Sequence, residues 1–234
     1  NIELTHEIPP ILQLKMPFGD IVVDRNSSEW NVENSTGVID RQDDNIAPDG
    51  GNKISGSDIK DLRVSFDGGM LFLNMTLYDL YFSTSFIGRN GGYFIELLTN
   101  GTTNQAVGVG VFYSTNSNRW HWNAFDSTSK NSITNLCSTG LFEMSKDTDT
   151  FEIALSLKEL GLPTTIEIRG YVSYGEENRI NLDVTRKFIA KISTATVSGT
   201  ISYSGTETGK YFIMATTKKY GFSGPVYIST TTET

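Results

Sequence analysis

The chain is poor in the residues from which most catalytic sites are built. It has one cysteine, Cys137, and two histidines, His6 and His121, in 234 residues. A single thiol excludes an internal disulfide. A chain of this length can bury a substantial core without one, so the lone cysteine does not argue against export. No C-x-x-C, H-E-x-x-H or G-x-S-x-G occurs, which removes the usual zinc and serine-nucleophile patterns. A Ser-His-Asp or Cys-His set would have to use His121, because His6 lies in a terminal strand. Glu96, Glu152 and Glu167 fall on predicted strands, but no spacing brings two of them to the roughly 5–10 Å that glycoside hydrolysis needs. The expectation is that the chain is not an enzyme. No run of about 18 apolar residues is present, so no transmembrane helix is expected. With a net charge of −8 and no dense basic stripe, nucleic acid is not an expected partner. Amphipathic helical periodicity and a fixed-period repeat are both missing. The first residue is Asn1 and no basic-then-apolar leader precedes it, which predicts a processed mature form or a chain lacking its leader.

Thr, Ser, Asn, Gly and aromatics are plentiful, a mix that favours strands and turns. The clearest stretch is Asp58–Tyr81. Leu62, Val64 and Phe66 alternate with polar residues, Asp67-Gly68-Gly69 supplies a turn, and Leu71, Leu73, Met75 and Leu77 resume the alternation. This predicts a β-hairpin with one buried face. Further strands are predicted at Gly19–Asp24, Gly91–Thr99, Gln105–Tyr113, Arg119–Phe125, Leu141–Met144, Thr150–Leu157 and Thr165–Tyr174, with Val184–Ile192 as a last core strand or a connector. Asn31–Ser57 reads as a long ordered loop. Lys158–Leu160 reads as one helical turn stopped by Gly161. The fold class is all-β, a jelly-roll or Ig-like antiparallel sandwich. Its expected divisions are 1–18, an N-terminal extension strand, 19–193, the main sandwich, and 194–234, a C-terminal β segment of about three strands.

Three groups of residues suggest sites. Asp40, Asp43, Asp44 and Asp49, with Asp24 and Glu29 nearby, supply hard oxygen ligands, and calcium takes six to eight of these; the alternative is a solvated loop. Trp120 and Trp122 share one face of a strand and, with Tyr113, suit either a sugar-stacking platform or ordinary packing. Four glycosylation sequons start at Asn26, Asn34, Asn74 and Asn100. Their number is what chance gives, and Asn34 and Asn100, in predicted loops, are the better acceptors if the chain is exported.

The order Asp24…Glu29-Trp30, a long acidic loop, DIKDLRVSFDGGMLFLNMTLYD and then FEIALSLKELGL resembles DOMON-like sandwich modules, which include family-9 carbohydrate-binding modules. The resemblance covers roughly residues 21–173. It implies a jelly-roll-like domain of an extracellular protein, sometimes binding sugar and often holding a structural calcium. Thr196–Ala215 resembles the opening strands of prealbumin-like or carboxypeptidase-regulatory-like β domains, which normally need about seven strands. An incomplete sandwich leaves open backbone edges.

The terminal strand is the obvious complement. Ile2, Leu4 and Ile8 form an apolar row that Pro9-Pro10 separates from the next apolar run, Ile11, Leu12 and Leu14. It can fold back on its own sheet or add to a neighbour's edge. Charge is also polarised. Residues 1–80 carry 14 acids and 6 bases, whereas residues 81–234 carry 13 of each. That asymmetry suits head-to-tail contact between copies. The expected function is a secreted structural subunit that self-assembles into a cell-surface filament, tube or layer by strand exchange, an architecture like that of archaeal extracellular filament or tube subunits. Its expected partner is itself. The alternative is an extracellular carbohydrate-binding module, with glycans as partners, and a glycosidase is the third reading, behind both.

Overall fold

The computed structural model describes residues 11–19, 21–47, 53–79, 91–101, 104–114, 117, 119–145, 148–174 and 180–192. Ile2, Leu4, Ile8, Asp49 and the whole segment 194–234 lie outside these residues.

The described residues form an all-β sandwich. Its strands are β1 (Leu12–Met16), β2 (Thr36–Ile39), β3 (Ile59–Phe66), β4 (Met70–Leu77), β5 (Gly92–Asn100), β6 (Gln105–Ser114), β7 (Arg119–Asp126), β8 (Leu141–Ser145), β9 (Thr150–Ser156), β10 (Thr165–Tyr174), β11 (Ile180–Val184) and β12 (Phe188–Ile192), with a short helix α1 (Thr134–Thr139). The larger sheet has the order β1-β12-β10-β5-β6-β7, with β11 also paired to β10; the smaller has the order β2-β3-β4-β9-β8. β10 spans both of its partners on one edge: Thr165–Ile168 pairs β12 and Tyr171–Tyr174 pairs β11.

The hairpin expected at Asp58–Tyr81 is β3–β4, in register Phe66↔Leu71 to Ile59↔Leu77. Asp67 closes the turn, its Oδ1 accepting from the N–H of Gly69 (3.0 Å) and Met70 (2.8 Å), while Gly68 takes φ 89°, a value glycine reaches without a Cβ clash. Leu62, Val64, Phe66, Leu71, Leu73, Met75 and Leu77 are all buried. They meet Tyr93, Ile95, Leu97, Val107, Val109, Val111, Ile166 and Ile168 from the larger sheet in one core, the period-two logic that packs two sheets face to face.

Each sheet also has a partly covered outer face. On the smaller sheet, Ile21 and Trp30 lie over Phe72 and Ala154 in a second apolar cluster. On the larger sheet, Phe94 points away from the core yet is only 3% exposed. Its ring stacks on Tyr171 (centroids 5.2 Å apart) and lies near Phe112 and Phe125. Gly110 leaves room for these rings, since a Cβ there would stand 2.7 Å from Phe112 and 3.0 Å from Phe94.

Three expectations, on Gly19–Asp24, Asn31–Ser57 and Val184–Ile192, are corrected by the structure. Gly19–Asp24 is not a strand: Phe18 makes a single bridge to Phe66, and the chain from Ile21 onward is irregular. The covering segment takes its hydrogen bonds from carboxylates instead of from a ladder. The stretch expected as one long loop, Asn31–Ser57, contains β2, antiparallel to β3. Gly37 permits that approach, because a Cβ there would stand 2.0 Å from the Leu62 carbonyl oxygen. α1 is a helix of six residues that buries Leu136, too short to show amphipathic periodicity. Val184–Ile192 is not one strand but the end of β11 followed by β12.

Leu12–Met16, inside the expected extension, is, among the described residues, the outermost strand of the larger sheet on that side and runs parallel to β12, with Leu12↔Phe188 and Met16↔Ile192. The first residue of β1 therefore lies beside Phe188 and the last residue of β12 beside Met16, at opposite ends of the strand pair.

Candidate metal centre

Carboxylates gather where β2 ends, β3 begins and β11 passes. Asp40, Asp44 and Asp183 each bring a carboxylate oxygen to within 4.8 Å of the others. The backbone holds them from three sides. Asp40 N–H donates to the Lys60 carbonyl, Tyr78 N–H to the Asp58 carbonyl, and Ile46 N–H to the Leu182 carbonyl. Asp183 Oδ2 accepts from Ile59 N–H at 2.6 Å and its Oδ1 from Val184 N–H at 2.8 Å. One side chain of the larger sheet thus fastens the first residue of a strand in the smaller.

Charge is crowded here. Burial, then the neighbouring Asp44, pushes the Asp40 carboxyl up to about 6. Burial also pushes Asp183 up to about 7, against the two hydrogen bonds it accepts and with Asp40 and Asp44 adding to the rise. Asp58 is raised by burial and by Asp44 and Asp43. Burial and like charges both act in this direction, and at Asp58 they outweigh the nearby Lys53.

Several acceptors around the cluster have no donor. Asp40 Oδ2, Asn45 Oδ1 and Asp58 Oδ1 are buried oxygens without a hydrogen bond among the described residues. Asn45 is 6% and Asp58 9% exposed. Orphaned buried acceptors are costly, and hard anionic and amide oxygens are the ligands calcium takes. The residue set fits such an ion.

Of the acids singled out in the sequence, the structure joins Asp40 and Asp44 and adds Asp183. Asp43 lies beside them in another role: at φ 64° it donates its N–H to Asp58 Oδ2 at 2.8 Å and offers its carbonyl to the Lys53 ammonium. Asp24 and Glu29 belong to the covering segment. Asp24 Oδ1 accepts from Asn26 N–H and Glu29 Oε1 from Val22 N–H. That segment is tied down by Glu152, 1% exposed, whose oxygens accept from Trp30 Nε1 (2.8 Å), Asp24 N–H (3.1 Å) and Arg25 N–H (3.0 Å). Burial raises the Glu152 carboxyl despite these bonds.

The aromatic candidates face inward. Trp120 packs on Tyr93 and, edge-on, Tyr113, with centroids 5.9 and 5.6 Å apart. Trp122 closes on Gly140, where a Cβ would stand 2.4 Å from the indole. Trp120 also lines an open cleft, about 610 Å³, with Arg25, Arg119, Phe142 and Glu143. His121 pairs with Ser117. Among the sequons, Asn34 is half-buried and donates to the Glu29 carbonyl, Asn74 is 1% exposed, and Asn100 is exposed at the end of β5. No helix among the described residues is long and apolar enough to cross a membrane.

No protein-family model and no curated protein matches this chain.

Proposed function

We propose that the chain is a secreted structural subunit that polymerises head to tail at a cell surface, the segment bearing Ile2, Leu4 and Ile8 adding as a strand to the next copy. The observation that carries this reading is the parallel β1–β12 pair at the margin of the larger sheet. The start of β1 and the end of β12 lie at opposite ends of this strand pair, which suits a non-closing, heterologous contact through the sequence beyond them. Open edges are present to receive a strand: β1 pairs only β12, and β8 only β9, among the described residues. Pro9 and Pro10 offer no backbone donor, so by sequence the residues before them are expected to pair as a separate unit. The acidic first third facing a neutral remainder favours ordered encounter.

The test is a triple substitution in the full chain, Ile2→Lys, Leu4→Lys and Ile8→Lys. Electron microscopy and sedimentation should show polymers lost while the melting temperature of the sandwich holds. Polymers that persist unchanged would exclude strand addition.

A second reading, carbohydrate binding, is favoured by the cleft beside Trp120, where one indole adjoins Arg25, Arg119 and Glu143. An aromatic face with a few charged partners suits a sugar ring. It predicts glycan-array binding that Trp120→Ala abolishes in a folded protein.

A further inference from the structure

Strand addition needs an acceptor edge, and the two margins of the sandwich differ. The larger sheet runs from β1 at one margin to β7 at the other, and the smaller runs from β2, which lies against β1, to β8. β7 and β8 are therefore the two lips of the sandwich at the margin far from β1. Among the described residues β8 pairs only β9, and β7 pairs only β6 apart from one bridge from Phe125 to Ser132. Resting on the strand-addition reading above, we propose that the acceptor is the seam between β7 and β8, and that its occupant is residues 2–8 of a second copy of this chain, added as a strand along β8.

The seam is covered at one end and open at the other. α1 buries Leu136 and covers the end beside Trp122, where Gly140 lets the indole approach. Past that cover, Trp120 of β7 and Phe142 and Met144 of β8 pack against the core yet stay partly exposed. They line the open cleft of about 610 Å³. Phe142 and Met144 are two residues apart on a strand, so both point to the same side of it. Ile2 and Leu4 repeat that period, so a strand added along β8 extends the apolar row and covers Trp120.

The rim of the cleft carries the complementary charge. Arg119 is exposed and forms no ion pair among the described residues, while Arg25 is held at the cleft by Glu143 at 2.7 Å. Glu3 and Glu7 alternate with the apolar row of the donor and bring the opposite sign to that rim.

The donor comes from another molecule because its own cannot reach. Ile8 precedes Ile11 by three residues, a span of about 11 Å at most. β7 is five neighbour steps from β1, roughly 24 Å at the usual strand spacing of about 4.8 Å. A row tethered at Ile11 can complete only another copy's β7–β8 margin. Donor and acceptor then stand at opposite margins of each molecule, a heterologous contact that does not close.

The experiment uses the full chain carrying Ile2→Lys, Leu4→Lys and Ile8→Lys, which disables its own donor and leaves the seam intact. It is titrated into a fluorescently labelled synthetic peptide of residues 1–10 and followed by anisotropy. One peptide should bind per chain. In the same background Arg119→Glu, an exposed change, should weaken binding by about threefold or more. Phe142→Ser should weaken it further while melting stays cooperative; should that variant lose its fold, Arg119→Glu alone decides. Lys15→Glu, exposed on β1, should bind as the parent does. No binding up to about 1 mM peptide overturns the proposal. So does loss of binding at Lys15→Glu with Arg119→Glu overlaying the parent, which moves the acceptor to β1. A cleft that takes glycans and not the peptide overturns it in favour of the carbohydrate reading. In the chain with its donor intact, polymers lost on the triple substitution but kept in Arg119→Glu and Phe142→Ser remove this acceptor and leave strand addition standing. Polymers kept in all of these variants remove strand addition itself.

Discussion

Phe94 gives a sharp test of how the larger sheet is stabilised. It alternates with Tyr93 and Ile95, which enter the core, so it occupies the face that alternation assigns to solvent. Its neighbours nonetheless remove it from water: 3% of it is exposed, against 51% of Leu98, four residues along the same face. Truncating a buried phenylalanine costs about 3–5 kcal/mol, and the Tyr171 stack at 5.2 Å places Phe94→Ala within that range rather than below it. For a domain of this size each kcal/mol lowers the melting temperature by about 2–4 °C, so the expected fall is roughly 6–20 °C. Leu98→Ala, an exposed change on the same strand, should stay within about 0.5 kcal/mol. Urea unfolding at constant m-value, read for both variants, separates them. If Phe94→Ala costs no more than Leu98→Ala, the outer aromatic cluster contributes nothing, and the argument from its burial is wrong.

Three further outcomes follow from named contacts. Trp30→Phe keeps an aromatic ring but strips Glu152 Oε1 of its indole donor, which should cost about 1.5–3 kcal/mol, the value of a hydrogen bond to a charged group, and should speed trypsin cleavage at Arg25, already exposed, by loosening the backbone that Glu152 holds. Gly37→Ala sets a Cβ against the Leu62 carbonyl, so β2 must part from β3; the expected cost is about 1–3 kcal/mol, with faster amide exchange in Thr36–Ile39. In chelator, Asp40 and Asp183 have folded pKa values near 6 and near 7, above the ordinary 3.8. The folded state then holds protons that the unfolded state releases, so their contribution is complete below about pH 4 and is lost as pH rises to about 7. Melting followed from pH 4 to pH 8 should show that decline, and a rise over the same window would refute it.

The hairpin was legible because seven alternating apolar residues and an Asp-Gly-Gly turn carry the same message locally. β5, β6, β9 and β10 were legible for the same reason. β2 was not, because Thr36–Ile39 offers one buried aliphatic, Val38, beside a glycine in a polar acidic stretch; its pairing depends on Leu62 and Arg63 opposite. Gly19–Asp24 looked like a strand by composition, but its neighbourhood is organised by Glu29 and Glu152, a partnership no local pattern reveals. The acidic loop identified Asp40 and Asp44. Asp183 was missed because its membership is set by the pairing of β11 with β10. The one available signal was an acid flanked by Leu182 and Val184 in a short apolar strand. Asp24 and Glu29 were grouped with the loop by proximity in sequence, whereas the fold carries them to the outer face of the smaller sheet.

Electron microscopy of the purified, concentrated full chain tests the central claim most directly. Strand addition between copies predicts filaments, tubes or sheets with one repeating subunit. A field of dispersed single molecules, matched by a monomer mass in sedimentation at every concentration, would contradict it.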